Sequence, residues 1–503
     1  MEEQTNKLSD LQEPICIPPP PMPSKTEDDI SVHHKFYLFG REFTIDIFLI
    51  TIMINNFLLN ACFSNIMPFF PQEALSKGVP EYMVGIIFSA LPFGGILSSL
   101  FLAKYISKIG RKKTLIFGVL TNMFSAAVLG FLKYVNNELA FITIAIISRL
   151  FQGCGRSAYS TGTFSSISVI YPNSIQKKIG YVESVSGLGM MLGPPIGSGL
   201  YSLGGYPTPF FCFAAIFVIM FPITIRNLNK LKILEKEKSQ EQKILKISNF
   251  IFERRIFSIF LAIIIGNINL TYLGPTFANH LIYYGMETRY IGLIYPVGTM
   301  AYILSIKFVS SLNKNFEKKI LISFGLFINI IAQIMVGPQP YIFPQHISIV
   351  ILSQLFLGSS LCFIFLPFIP EMNILGAKIY PNDKNSVSDM SSGLFSAGVT
   401  IGGVLGPVLG GVLASMLGFV HASSIFAVAV AVVFVIYLSL GDGVIGICGY
   451  LRRKKKGVEE KEALIDGIDN EEHCEISVEE EKRYSREEIK RIDCNSTFIE
   501  EEK

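Results

Sequence analysis

Apolar runs of about twenty residues, the length that crosses ~30 Å of hydrocarbon, recur along this chain. They fall at 44–67, 81–103, 114–134, 140–168, 178–203, 207–226, 256–277, 289–311, 319–338, 346–372, 388–415 and 419–441. Hydrocarbon offers a backbone no hydrogen-bond partner, so such runs must fold as helices. The expected fold is an all-α polytopic membrane protein with twelve transmembrane helices. Composition agrees: half of the 503 residues are hydrophobic and only 17% are charged, too little polar surface for a soluble chain of this size. Residues 1–40 ("PICIPPPPMPSK" among them) and the mainly acidic 446–503 read as disordered tails. No signal peptide is recognised ahead of the first run, which is expected to stay as a span. The eight cysteines stand singly, without metal or disulfide spacing. No nucleotide-binding loop, nucleophile–base pair or metal-ligand set is recognisable, so no enzyme, cofactor, metal or nucleic-acid role is expected.

Charge sets the expected orientation. "SKIGRKK" (107–113), "QKK" (176–178), "NKNFEKK" (313–319) and "RRKKK" (452–456) fall on one side of the membrane, and only Lys77, Lys133 and Arg289 on the other. The positive-inside rule places the basic side, and with it both termini, in the cytosol. Residues 227–255, charged throughout, read as an amphipathic cytosolic linker between a bundle at 41–226 and another at 256–445. The bundles repeat each other. "LGPPIGSGLYSLGGY" (192–206) returns as "LGPVLGGVLASMLGF" (405–419), and "VGIIFSALPFGGILSS" (84–99) is echoed by "IGLIYPVGTMAYILSI" (291–306). The copies are six spans apart and so share a membrane orientation, the parallel repeat of carriers that rock about a central site. Gly187, Gly189, Gly193 and Gly197, with Pro194, and Gly406, Pro407 and Gly410 in the second copy, are expected to let a neighbouring backbone approach closely.

Ionisable groups at membrane depth are costly and therefore functional candidates. Arg149 and Arg156 are two turns apart on the fourth span, on one face; on a pore-lining stripe they could hold anionic groups, the alternative being structural groups satisfied by partners or, for Arg156, a snorkelling side chain. Gln152 stands between them. Glu183 in "ESVSGL" and Asp389 in "DMSSGL" repeat one pattern in spans five and eleven, and a carboxylate there can be protonated in one conformation and ionised in another. The plain alternative is a helix-start charge facing water. Glu371 falls at the cytosolic end of span ten, and Asn56 and Asn267 put amides into spans one and seven. These amides could meet solute or bond across helices.

With those residues in view, the chain resembles the major facilitator superfamily and, within it, the vesicular amine and polyamine transporter branch. "PFFPQEALSKGVPEYMVGIIFS" (68–89), "RLFQGCG" (149–155), "ESVSGLGMMLGPPIGSGLY" (183–201) and "SGLFSAGVTIGGVLGPVLGG" (392–411) carry the likeness. The resemblance implies that the glycine–proline helices seal one side of the cavity during exchange. It also implies a cytosolic gate loop, matched at Gly110, Arg111, Lys112 and Lys113. Ala103 and Ser107 stand where the pattern has Gly and Asp, and Gly274 stands where the branch has an acid before Pro-Thr. The tail's "EKEALI", with Glu460, Leu464 and Ile465, fits the acidic dileucine pattern read by sorting adaptors. The expected function is proton-coupled exchange of a small amine- or polyamine-like solute across a vesicle or endolysosomal membrane rather than the plasma membrane. The alternatives are a carrier of anionic or zwitterionic solutes, or a transporter-like scaffold or sensor.

Overall fold

The structure, a computed structural model, describes residues 33–38, 41–171, 174–228, 253–380 and 384–440. Strands β1 (His33–Leu38) and β2 (Arg41–Asp46) pair antiparallel, His33 opposite Asp46. This hairpin stands at the edge of a region whose sequence reads as a disordered tail. Asp46 then starts the first helix by accepting the Leu49 N–H at 3.0 Å, satisfying one of the free donors of a helix N-terminus.

The first half comprises α1 (Ile47–Ser64), α2 (Phe70–Ser76), α3 (Glu81–Ile109), α4 (Arg111–Phe131), α5 (Glu138–Ile170), α6 (Ile175–Gly204) and α7 (Pro207–Leu228). The second comprises α8 (Arg254–Thr271), α9 (Leu273–Tyr283), α10 (Thr288–Asn315), α11 (Lys318–Val336), α12 (Ile347–Phe365), α13 (Phe368–Ile379), α14 (Lys384–Leu417) and α15 (Phe419–Leu440). Taking α8 with α9 and α12 with α13 as single rods, and α2 as a short connector, the described residues form the twelve expected spans. Eleven of these are long and apolar enough to cross a membrane. The remaining rod is α6, whose glycines, prolines and serines dilute its hydropathy. It nevertheless runs unbroken through Pro194 and Pro195.

Large apolar side chains cover the outside: Leu100, Leu304 and Val428 are 68%, 74% and 64% exposed, as suits a surface solvated by lipid. Inside, four apolar clusters form, and each draws its buried residues from one half alone. The halves are therefore separately cored bodies. Gly78 and Gly285 (φ +83° and +79°) precede α3 and α10, and Gly205 and Gly418 (φ +73° and +82°) close α6 and α14. These left-handed turns recur at matching points of the two halves, where a side chain would be strained. The turns at Gly110 and near Phe316 mark the basic end of the molecule. The turns at Gly78, Gly205, Gly285 and Gly418 mark the far end.

Candidate functional site

Helices α6 and α14 each present two stripes of small residues. On α6, Gly189, Gly193 and Gly197 recur every four residues, so they share one face. A Cβ there would collide with α1, falling 2.5 Å from Ala61 O at Gly193 and 2.5 Å from Asn65 O at Gly197. On α14 the same spacing runs Gly402, Gly406, Gly410 against α8, where a Cβ would fall 2.7 Å from Ile264 O, 2.8 Å from Ile268 O and 2.6 Å from Tyr272 Cβ. Close backbone approach is what fixes glycine at these six positions. Gly187 does not belong to this stripe, contrary to its expected packing role. It lies two residues from Gly189, hence on another face, and a Cβ there would meet no other element within 4 Å.

The second stripe faces the opposite half. Pro194 and Ser198 of α6 meet Gly292 of α10, where a Cβ would fall 2.5 Å from Pro194 O. Pro407 and Gly411 of α14 meet Gly85 of α3, with a Cβ 3.1 Å from the Gly411 Cα. These crossed contacts are each other's repeat. Both lie toward the far end, where Thr288 Oγ1 donates to Gln72 Oε1 (2.9 Å), Asn279 Nδ2 to Glu81 Oε1 (3.4 Å) and the Tyr295 hydroxyl to Met67 O (3.4 Å). Followed toward the basic end, the same faces open. Gly187 is two turns from Pro194 and Gly393 is five turns from Gly411; a Cβ at either would meet no other element within 4 Å. Glu183 and Ser184 on α6, and Ser388, Ser392 and Ser396 on α14, are exposed there. The halves are closed together at the far end and parted at the basic end.

Charge concentrates in the wall of this opening that the first half supplies. Arg149 is wholly buried, contrary to a pore-lining position: its Nη1 donates to Gln152 Oε1 at 2.6 Å, and its Nε and Nη2 have no partner. The rings of Phe63 (5.8 Å) and Phe88 (5.4 Å) cover its guanidinium, supplying quadrupole attraction in place of a carboxylate. Gln152 Nε2 in turn reaches Cys62 Sγ at 3.5 Å. Arg156 lies nearer the opening and is half-buried. Its Nη2 donates to Asn60 Oδ1 at 2.7 Å, and its guanidinium sits 4.6 Å from the same Phe63 ring. One phenyl ring thus separates two cations. Glu183 and Arg156 form neither an ion pair nor a hydrogen bond with each other.

The other candidates disperse. The Asn56 amide turns back to Ile52 O (3.0 Å) on its own helix, whereas Asn267 Nδ2 donates to Val399 O (2.5 Å) and ties α8 to α14. Both act here as packing groups. Glu371 is buried in the first turn of α13, where the helix dipole favours an anion and Lys318, Lys319 and Lys378 attract it. At the matching junction of the first half, Arg111 Nε meets Ser165 Oγ at 2.8 Å. Gly110 there has φ +89°, which accounts for the glycine of the gate loop, and the Lys112 side chain is half-buried beside it. The side chain of Asp389, most of the linker at 227–255 and the tail residues Glu460, Leu464 and Ile465 lie outside the described residues.

Sequence reasoning passed over Phe63, Gly85, Gly292 and Gly402. Gly85 and Gly292 were visible as matching letters of the repeat "VGII" and "IGLI", a signal that marks equivalence but not the surface being touched.

A chain of two repeated, separately cored helix bundles, closed at one end and charged in one wall of the opening, defines a polytopic carrier. It belongs to the major facilitator superfamily: the profile described as Major Facilitator Superfamily matches residues 52–388. It is a membrane transporter and not an enzyme. The human MFS-type transporter SLC18B1 is 26% identical over 402 residues, covering 78% of this chain and 85% of the relative. The mouse MFS-type transporter SLC18B1 is 28% identical over 350 residues, covering 69% and 75%. Among solved structures, the nucleoside transporter NupG superposes with a TM-score of 0.61 at 13% identity, covering 78% of this chain and 98% of NupG. An inward-facing, unoccupied bacterial homolog of the human lysosomal transporter Spinster gives 0.56 at 13%, covering 79% and 96%. These last two likenesses concern the fold.

Proposed function

We propose that this transporter exchanges protons for a small amine-bearing solute by alternating access, with Glu183 as the group over which the two cations compete. One observation carries the reading: Glu183 is an exposed carboxylate, without an ion-pair partner, on the open face of α6, the helix whose next turns form the closed contact. A carboxylate that holds either a proton or an ammonium, and never both, makes the two fluxes opposite. That is the requirement of an exchanger. Arg149 and Gln152 hold the wall behind it, and Arg156 tunes its charge. The basic end is read as cytosolic from the excess of Lys and Arg, so both termini are cytosolic. The "EKEALI" tail points to adaptor-sorted vesicle or endolysosomal membranes. The likeness to the vesicular amine and polyamine branch favours a cationic solute.

Uptake driven by an imposed pH gradient in proteoliposomes tests this. Glu183→Gln, which keeps shape and removes the titrating charge, is expected to lower gradient-driven amine accumulation at least tenfold. Retained, pH-dependent accumulation overturns the assignment.

A further inference from the structure

Arg156 has capacity that its internal contacts leave unused. Its Nη2 is bound to Asn60, but Nε and Nη1 make no hydrogen bond in the structure and are not sealed from water. The Phe63 ring at 4.6 Å and the Asn60 amide fix the guanidinium, so those donors are held in place rather than swinging on a loose side chain. Guanidinium presents adjacent N–H pairs that match a carboxylate's two oxygens, and the second Nη2 N–H forms such a pair with either Nε or Nη1. Glu183, on the open face of the neighbouring helix α6, is exposed and does not occupy these donors. The wall of the opening therefore carries an anion and a cation, each with free valence. On the equivalent face of α14, the exposed Ser392 and Ser396 offer hydroxyls.

We infer that the solute is an amino-carboxylate, its ammonium group received by Glu183 and its carboxylate by the N–H donors of Arg156 that Asn60 leaves free. The inference rests on the exchange function proposed above and narrows its substrate. A solute with amines alone would face the Arg156 cation uncompensated, whereas one carrying both charges neutralises both wall groups. The loaded carrier then re-closes around a pair of satisfied charges, avoiding the desolvation penalty of an unpaired one.

The test compares L-lysine with 1,5-diaminopentane, which differs from it only in lacking the α-carboxylate. Both are presented to the full-length protein in proteoliposomes with a pH gradient. Wild type is expected to take up lysine in preference to the diamine. Arg156→Gln is expected to lower the lysine-to-diamine uptake ratio at least tenfold, and Arg156→Lys to restore part of it. If Arg156→Gln does not fold, the wild type still decides, because lysine methyl ester, its carboxylate masked, is expected to compete at least tenfold less well than lysine. Diamine uptake that matches or exceeds lysine uptake, an unchanged ratio in Arg156→Gln, or an equally competent ester overturns this inference and leaves the amine exchanger standing. Failure of lysine and diamine alike overturns both.

Discussion

The two halves of the transporter are alike in how they pack and unlike in what they bury. In packing they match nearly residue for residue. Gly193 and Gly406 press on the partner helix, Gly85 and Gly292 receive a proline turn from the opposite half, and positive-φ glycines turn the chain at corresponding points. In chemistry they part. The first half buries Arg149 against Gln152 and two phenyl rings. The second buries one acid, Glu371, in the first turn of α13, and otherwise links neutral amides and hydroxyls: Asn269 to Asn329 (2.7 Å), Asn329 to Ser360 (2.8 Å) and Tyr272 to Gln333 (2.7 Å). Under the alternating-access reading proposed above, the close-packed surfaces are those that must match for the halves to rock together, whereas the groups that read a solute need occupy one wall only. Symmetry is kept in the close packing and lost among the buried charges.

The largest expected effect tests the kept symmetry. Gly193→Val and Gly406→Val each place side-chain atoms in a neighbouring backbone, and each is expected to cost about 3 kcal/mol or more, the upper range for overpacking. Thermal unfolding in detergent measures this. If one copy tolerates the change, the halves are not mechanically equivalent. A smaller effect is expected at the contacts between halves. Gly85→Leu and Gly292→Leu leave each half's own core intact, so folding is expected to survive, while the closed far end loses population roughly tenfold, about 1.4 kcal/mol. Distances between spin labels placed on either side of the far end read that shift. Equal shifts sharpen the comparison, and an effect from one position alone breaks it.

The smallest effect separates the halves at the far end by pH. There the first half uses a Glu73–Lys133 ion pair (3.2 Å), while the second uses His280, beyond its apolar span and stacked on Phe419 at 4.0 Å. Burial holds the His280 imidazole down at about 4 against an ordinary 6.5. The fold favours the neutral ring, so its stabilisation is complete above pH 6.5 and is lost as pH falls from 6.5 toward 4. His280→Phe is expected to flatten the thermal midpoint across that window, and an unaltered slope removes His280 from the account.

The spans, the repeat and the glycine stripes were legible because they are periodic: apolar runs of fixed length, and small residues at i, i+4 and i+8. What was not legible depends on helices distant in the chain. Gly187 and Gly189 look alike as letters, yet a difference of two residues turns one toward open space and the other onto α1. Arg149 and Arg156 share a face, but burial by Phe88 of α3 seals only the first. The Asn60 partner of Arg156 lies ninety-six residues away, a pairing no local pattern encodes.

The glycines and prolines of α6 have one more consequence, which falls on biosynthesis. A segment this diluted in apolar residues gains less on entering lipid alone than its neighbours do. It is expected to enter more readily once much of α7, with its markedly apolar Phe210–Phe221 stretch, has also been made. The surface that shuts the finished carrier is therefore expected to delay the growing one.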